Sequence, residues 1–175
     1  MTALSKKRRA KLQAKLDKHH GYRHYEDDDI AVKEIKGCGL GVFAQRQFLP
    51  AELVIEIHGQ LLRHDQYEGS TYVMEMDEQW YMEPAVPAAF LNHSCSPNCE
   101  LVQLTKYTMG LVAICNVEPE SQLTFDYGWQ ADDWIPECRC GAKNCRGWVV
   151  EKSQVKKMRE FAKKREKKRN KAKSA

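Results

Sequence analysis

The sequence predicts a mostly β fold of short strands, with a cysteine-rich segment near the C-terminal end and a basic helix on either side. Short runs rich in β-branched and aromatic residues are separated by Gly, Pro and Asn through the middle of the chain, as in compact all-β domains. Three cysteines fall within residues 138–145, and Lys and Arg are concentrated at both ends. The 175 residues are enough for one domain with modest tails.

The predicted strands follow the apolar and β-branched runs. Residues 84–91 are too apolar for an exposed element and too short for a long helix, so we expect a buried helical turn there. The strands are predicted at residues 30–35, 41–44, 53–57, 72–76, 80–83, 100–104, 109–115 and 123–125.

Basic helices are predicted at both ends. Leu12 and Leu16 have helical spacing within residues 10–18, and Val155, Met158 and Ala162 form one stripe of a helix over residues 153–169. No run of 18 apolar residues occurs, and no apolar stretch follows the N-terminal Met. Neither a membrane span nor a secretory signal is therefore predicted, and we expect an intracellular protein.

The charge is strongly segregated along the chain. The net charge of +4 combines +7 for residues 1–25, −13 for residues 26–151 and +10 for residues 152–175. An acidic body attracts cationic ligands such as lysine-rich peptides. The basic ends either contact nucleic-acid phosphates or acidic proteins, or are solvated helices without a partner.

The three clustered cysteines form a candidate zinc site, and they are Cys138, Cys140 and Cys145. In a reducing compartment, cysteines are thiols or metal ligands rather than disulfides. Three thiolates need a fourth ligand to complete a tetrahedral zinc site, and Cys95 and Cys99 are the best-placed candidates. Zinc would hold residues 131–148 onto the body. Cys115 ends an apolar run, and we expect it to be an ordinary buried thiol.

Six motifs occur in a fixed order, and this order resembles a SET domain followed by a post-SET zinc segment. The resemblance covers residues 30–149, and the Asn-His-Ser-Cys-x-Pro-Asn and Phe-Asp-Tyr runs make it specific when they are joined to the cysteines. The sequence departs from the family pattern at two places. No cysteine cluster precedes Gly37, and Ile57 and His58 stand where relatives often carry an aromatic residue. The motifs are residues 36–43, 53–56, 72–74, 90–99, 123–128 and the cysteine trio with residues 146–148.

The resemblance implies a β-clip-like SET fold in which the C-terminal motif is threaded beneath a preceding loop. It divides the chain into a basic extension (1–29), a SET domain (30–130), a post-SET zinc segment (131–150) and a basic C-terminal helix (151–175). It also implies one structural zinc ion, held by Cys95, Cys138, Cys140 and Cys145.

The resemblance further implies that S-adenosylmethionine (SAM) is the methyl donor. Main-chain groups of the glycine turn would reach the cofactor, since glycine lets backbone approach a ligand closely. An ordinary turn between strands is the simpler interpretation of that motif taken alone. The implied cofactor-binding residues are Cys38, Gly39, Leu40, Gly41, Tyr72, Asn92, His93, Arg139 and Arg146.

The function implied is methyl transfer to the ε-amine of lysine in a histone or another basic protein. Tyr127, Tyr72 and Phe125 are the candidate catalytic residues, with Tyr127 as the essential one. Phenylalanine at position 125 cannot hold a water molecule as firmly as tyrosine would, which predicts di- or trimethylation.

Two alternatives remain at this stage. One is a catalytically inactive SET-like module that binds basic peptides or chromatin, and the other is a nucleic-acid-binding zinc protein. The acidic charge of the cysteine-bearing body opposes the second alternative. The expected partners are a lysine-containing protein and nucleic acid or a nucleosome at the basic ends. The expected location is the nucleus in a eukaryote and the cytoplasm in a bacterium.

Overall fold

The computed structural model of the protein describes residues 27–36, 39–67 and 73–173. The helix predicted over residues 10–18 lies outside the described residues, as do Cys38 and Tyr72. Among the described residues, no helix is both long enough and apolar enough to cross a membrane.

The described residues form ten short strands and one α-helix. Eight strands lie where the sequence predicts strands, whereas Gly59–Arg63 and Asn92–His93 were not predicted. The strands are β1 (Ile30–Ile35), β2 (Gly39–Ala44), β3 (Leu53–Ile57), β4 (Gly59–Arg63), β5 (Met74–Glu75), β6 (Trp80–Pro84), β7 (Asn92–His93), β8 (Cys99–Gln103), β9 (Met109–Ala113) and β10 (Thr124–Phe125), and the helix is α1 (Val155–Lys173).

The chain divides into two compact units, which we describe separately. Unit 1 comprises the described residues up to Asn92 and residues 98–124, and unit 2 comprises residues 93–97 and those from Phe125 onward. The dividing points fall within β7 and β10, which pair with each other.

Unit 1 consists of small antiparallel sheets around a shared apolar core. β1 pairs with β2, β9 lies between β3 and β8, and β6 lies between β4 and β5. Each of these strands except β4 contributes at least one buried residue to the core, and β1 and β9 each contribute a run of three. The predicted helical turn in residues 84–91 is confirmed as a short 3-10 helix at Ala88–Phe90. The largest fully buried side chains here include Phe48, Ile30, Ile57, Met82, Leu111 and Leu123.

One cysteine prediction in unit 1 is wrong. Cys115 is exposed rather than buried. β9 ends at Ala113, and the chain bends at Ile114 and Cys115, so strand alternation no longer directs the thiol inward. The buried thiol of this sheet is that of Cys99, whose pKa is raised to about 12 by burial and by the nearby Cys115 thiol.

Unit 2 contains little regular structure before its helix. The segment 126–151 has no strand, but an isolated bridge joins Glu137 to Trp148. The predicted helix is confirmed: α1 begins at Val155, and its Met158 is fully buried against Ala131, Ile135 and Val150. Burial of such a side chain contributes roughly 1.5–3 kcal/mol, so the first turns of α1 are part of the folded unit. Trp129, Trp148, Val155 and Phe161 pack around this cluster.

Candidate active site and metal centre

Four cysteine thiols meet in unit 2, and they are the four that the sequence predicts as zinc ligands. The sulfur of Cys95 lies 3.8 Å from that of Cys138 and 4.0 Å from that of Cys145. The Cys140 sulfur lies within 4.8 Å of those of Cys95 and Cys138. Tetrahedral zinc with Zn–S bonds of about 2.3 Å places its sulfurs about 3.8 Å apart. The thiol set therefore fits one structural zinc ion.

Backbone N–H groups donate to two of the sulfurs, although burial raises the pKa of the Cys95 and Cys138 thiols. Cys95 donates its N–H to the Cys140 sulfur at 3.4 Å, and Arg146 donates its N–H to the Cys95 sulfur at 3.4 Å. Burial raises the pKa of the Cys140 thiol, but hydrogen bonds from the N–H groups of Cys95 and Ala142, helped by two neighbouring thiols, outweigh it and lower this pKa to about 6. Because metal ligands must be deprotonated, such hydrogen bonds favour metal binding.

His93 lies next to the thiols and is a fifth candidate donor. Its ring Nε2 is 3.3 Å from the Cys95 sulfur, and its Nδ1 accepts the backbone N–H of Tyr127 at 3.2 Å. Burial lowers the pKa of His93, which favours the neutral ring. A neutral ring that accepts at Nδ1 carries its proton on Nε2 and can donate it to Cys95. The same Nδ1 also lies 3.5 Å from the Asp126 carboxylate, and four thiols complete a tetrahedral set without the ring.

Aromatic rings line the chain on both sides of Tyr127. The Tyr127 ring centroid is 4.8 Å from that of Phe125 and 5.2 Å from that of Trp129. The His93 ring also packs against it at 5.4 Å. Trp129 in turn contacts Trp134, which is exposed. Two of the three candidate catalytic residues, Tyr127 and Phe125, are therefore in contact, while Tyr72 lies outside the described residues.

Asp126 forms a bidentate ion pair with Arg146. Both nitrogen–oxygen distances are 2.6 Å, and the Arg146 side chain is only 13% exposed. Burial opposes ionisation of Asp126, but hydrogen bonds from Arg146 and from the Gly128 N–H lower its pKa. Arg146 was predicted to contact the cofactor, and the structure shows its guanidinium bound to Asp126. The sequence analysis did not single out Asp126, although it lies inside the Phe-Asp-Tyr motif.

The glycine turn of unit 1 is bound to Asn92. The Asn92 side-chain amide donates to the carbonyl of Leu40 at 2.8 Å, so two predicted cofactor-binding positions are brought together. Gly39 has φ of 88°, a left-handed conformation that favours glycine. At Gly41 an added Cβ would lie 2.4 Å from the Ile35 Cδ1 and 2.9 Å from the Gln122 amide, so these side-chain ends would have to shift. Arg139, in unit 2, is exposed.

Asn98 holds the chain in place by hydrogen bonds just before the Phe-Asp-Tyr motif, a role that the sequence analysis missed. Its side-chain oxygen accepts the Thr124 N–H, and its amide donates to the Gln122 carbonyl, both at 2.9 Å. The signal was present, because Asn98 is the last residue of the Asn-His-Ser-Cys-x-Pro-Asn motif. Within unit 1 it therefore holds the strand that leads to Phe125.

Comparison with known families identifies this combination of motifs. The SET-domain profile matches residues 39–128, just over half of the chain. The chain belongs to the SET-domain family. The resemblance that the motifs indicated is thus confirmed.

Several curated relatives that match this chain are named histone-lysine N-methyltransferases. The chain is 32% identical over 124 residues to histone-lysine N-methyltransferase SETD1 of Drosophila melanogaster, covering 61% of this chain and 8% of that protein. It is 31% identical over 141 residues to histone-lysine N-methyltransferase trr of the same organism, covering 70% of this chain and 6% of that protein. The chain therefore spans less than a tenth of the length of these relatives.

Solved structures confirm the predicted fold class. A crystal structure of KRYPTONITE in complex with mCHG DNA and SAH matches with a TM-score of 0.60 and 27% identity, over 69% of this chain and 29% of that chain. A second, in complex with mCHH DNA, an H3(1-15) peptide and SAH, matches with a TM-score of 0.59 and 25% identity, over 69% of this chain and 29% of that chain.

Proposed function

We propose that this SET domain transfers methyl groups from SAM to lysine side chains of a basic protein. The observation that carries the proposal is the placement of Tyr127, whose ring is packed by Phe125 and Trp129 and whose backbone is hydrogen-bonded to His93. Crystal structures of a similar protein with SAH, together with the names of the curated relatives, support methyl transfer as the reaction.

The side chains around Tyr127 suit the chemistry of lysine. A free lysine amine has a pKa of about 10.4 and is protonated at neutral pH, so it must lose a proton before it can attack. An aromatic, water-poor surface disfavours the ammonium and lowers that pKa. The Tyr127 hydroxyl would orient the amine, and the rings would favour a cationic methyl-lysine product. SAM supplies a methyl group carried on a positively charged sulfur.

We propose that the Gly39–Gly41 turn and Asn92 bind SAM in unit 1. The hydrogen bond from Asn92 to the Leu40 carbonyl supports this, because it holds the turn in one conformation. For His93 and Arg139, which belong to unit 2, and for Cys38 and Tyr72, which lie outside the described residues, contact with SAM stays a prediction. For Arg146, the ion pair with Asp126 favours positioning over direct contact with SAM.

The proposed substrate is a histone or another lysine-rich protein, and the proposed location is the nucleus. Residues 26–151 carry a net charge of −13, which attracts a cationic peptide. The curated relatives are named histone-lysine N-methyltransferases, and one similar structure holds a histone H3 peptide.

Incubation with labelled SAM and a panel of lysine-rich peptides, followed by mass spectrometry, tests the proposal. Methyl-lysine in at least one peptide is expected. A chain that binds SAM in a titration but methylates no peptide or histone would instead be a binding module, and a chain that does not bind SAM would contradict the proposal at its first step.

We also propose that the product is di- or trimethyl-lysine. Phe125 is buried, and its ring packs on Tyr127. A tyrosine hydroxyl at this position would hold a water molecule in the space that further methyl groups need. We expect Phe125→Tyr to shift a long incubation toward monomethyl-lysine with a modest loss of the first-step rate. A wild-type product that stalls at one methyl group would refute this interpretation.

The second half of α1 is proposed to contact nucleic-acid phosphates. Val155, Met158 and Phe161 face the core of unit 2, whereas the described cationic side chains of α1 are exposed. Residues 167–175 contribute five further Lys or Arg residues and no acid. Since Met158 belongs to the core, a useful truncation ends after Glu166 rather than before the helix.

We expect the chain truncated after Glu166 to bind duplex DNA more weakly. The magnitude of the slope of log affinity against log salt concentration should fall by up to about 4.5, because five cations are removed and each neutralised phosphate contributes about 0.9. Activity on a short peptide should be retained, and activity on a nucleosome should fall. Unchanged DNA binding would show that these cations are merely solvated.

A further inference from the structure

We propose that Asp126 is a positioning residue, whose ion pair with Arg146 ties the Tyr127 segment to the cysteine cluster and holds Tyr127 in its working geometry. This inference rests on the proposed function, and it adds to that function a residue that acts through another. All of the contacts that carry it lie within unit 2.

The geometry of the pair distinguishes it from an ordinary surface contact. Two parallel N–H···O bonds of 2.6 Å join the guanidinium to the carboxylate, and the side chains are 13% and 35% exposed. The Arg63–Asp65 pair is 51% and 62% exposed, with bonds of 3.1 and 3.3 Å. Bidentate, partly buried pairs define an orientation, whereas exposed pairs contribute little.

Arg146 is connected to the cysteine cluster, and Asp126 is connected to Tyr127. Arg146 follows Cys145 directly, and its backbone N–H donates to the Cys95 sulfur. Asp126 precedes Tyr127, and its Oδ1 also accepts the Gly128 N–H at 3.1 Å. The carboxylate therefore closes a turn whose central residue is Tyr127, and Gly128 has the left-handed φ of 59° that this turn uses.

A second connection reaches the same cluster by a different route. The Tyr127 backbone N–H donates to His93, and the other nitrogen of that ring is 3.3 Å from the Cys95 sulfur. One connection thus anchors the backbone of Tyr127, and the other anchors the turn around it. A turn held at only one of these points allows Tyr127 to rotate or shift, and small displacements of a catalytic group are costly for rate.

The test compares Asp126→Asn with the wild-type chain. We expect kcat for peptide methylation to fall about 10- to 100-fold, while the KM for peptide and the dissociation constant for SAM change by less than about twofold. Zinc content should stay at one ion per chain. The double variant Asp126→Asn/Arg146→Gln should be no slower than the slower single variant, because both changes remove one interaction. Asp65→Asn, in the exposed pair, is the matched control and should leave kcat unchanged.

The outcomes separate positioning from structure. An unchanged kcat in Asp126→Asn overturns the inference, and so does a fall in zinc content or in SAM binding that accounts for the lost rate. If the wild-type chain methylates nothing, the proposed function fails, and NMR of the zinc-loaded protein still tests the inference. Arg146→Gln, which is remote from Tyr127 in sequence, should then shift the Tyr127 amide resonance while Arg63→Gln does not, and an unmoved resonance would overturn it.

Discussion

Replacing Tyr127 by phenylalanine is expected to lower the rate of methyl transfer by about 10²–10³-fold while the fold and the zinc content stay unchanged. The substitution removes one hydroxyl and keeps the ring. The contacts of that ring with Phe125, Trp129 and His93 should therefore persist. The hydrogen bond to His93 is made by the backbone N–H, so it does not depend on the side chain.

The large effect is expected because, in the proposed mechanism, the hydroxyl acts where charge changes during the reaction. The amine begins the step as a neutral nucleophile and ends it as a methylated cation. A fixed dipole directed at that nitrogen aligns the lone pair without any reorganisation cost at the moment of transfer. The substitution should thus affect kcat far more than the KM for the peptide.

Single-turnover kinetics with a lysine peptide measures this effect. Tyr107→Phe is the matched control, because Tyr107 is 59% exposed on the loop between β8 and β9 and also loses only a hydroxyl. An unchanged rate in Tyr127→Phe would remove Tyr127 from the mechanism. Loss of SAM binding with an unchanged rate at saturating SAM would assign the hydroxyl to binding instead.

The eight strands that the sequence predicts correctly each contain at least one buried residue, whereas β4 and β7 contain none. The prediction for residues 53–57 agrees with β3, where Val54 and Ile57 are buried. β4 was missed because its Leu61 and Leu62 are only half-buried and face opposite sides, which leaves no alternation to detect. The position of Cys115 could not be predicted, since strand periodicity ends where ladder pairing ends.

In the site, as in the fold, local sequence patterns could be recognised from the sequence, whereas contacts between distant segments could not. The cysteine ligands are recognisable because their residue type and spacing carry the chemistry. The pairing of Asp126 with Arg146 depends instead on how two segments twenty residues apart are folded against each other. No periodicity or spacing in the chain encodes that contact, although both residues lie inside motifs. Motifs thus located the functional segments but not the interactions between them.

Loss of the zinc site should have the largest effect on unit 2 as a whole. Residues 131–148 form no helix or strand, and few hydrogen bonds hold them, among them Cys138 N–H to the Gly147 carbonyl at 2.9 Å. Zinc bound to four thiolates contributes about 10–16 kcal/mol in small zinc domains, far more than these few hydrogen bonds provide. We therefore expect Cys140→Ser to lower zinc content from one ion per chain to nearly none and to expose residues 131–148 to proteolysis.

The prediction that Cys95 is the fourth ligand is tested by comparing two cysteines of the same motif. Cys95 lies 3.8 Å from the Cys138 sulfur, whereas Cys99 is buried in β8 of unit 1, beside Ala113 of β9. Cys95→Ser should therefore release zinc, and Cys99→Ser should retain it at some cost in stability. His93→Gln should also retain zinc, since four thiolates complete the tetrahedral site without the ring. Metal analysis of the purified variants checks all three, and retention of zinc by Cys95→Ser together with its loss in Cys99→Ser or His93→Gln would show that the ligand set is wrong.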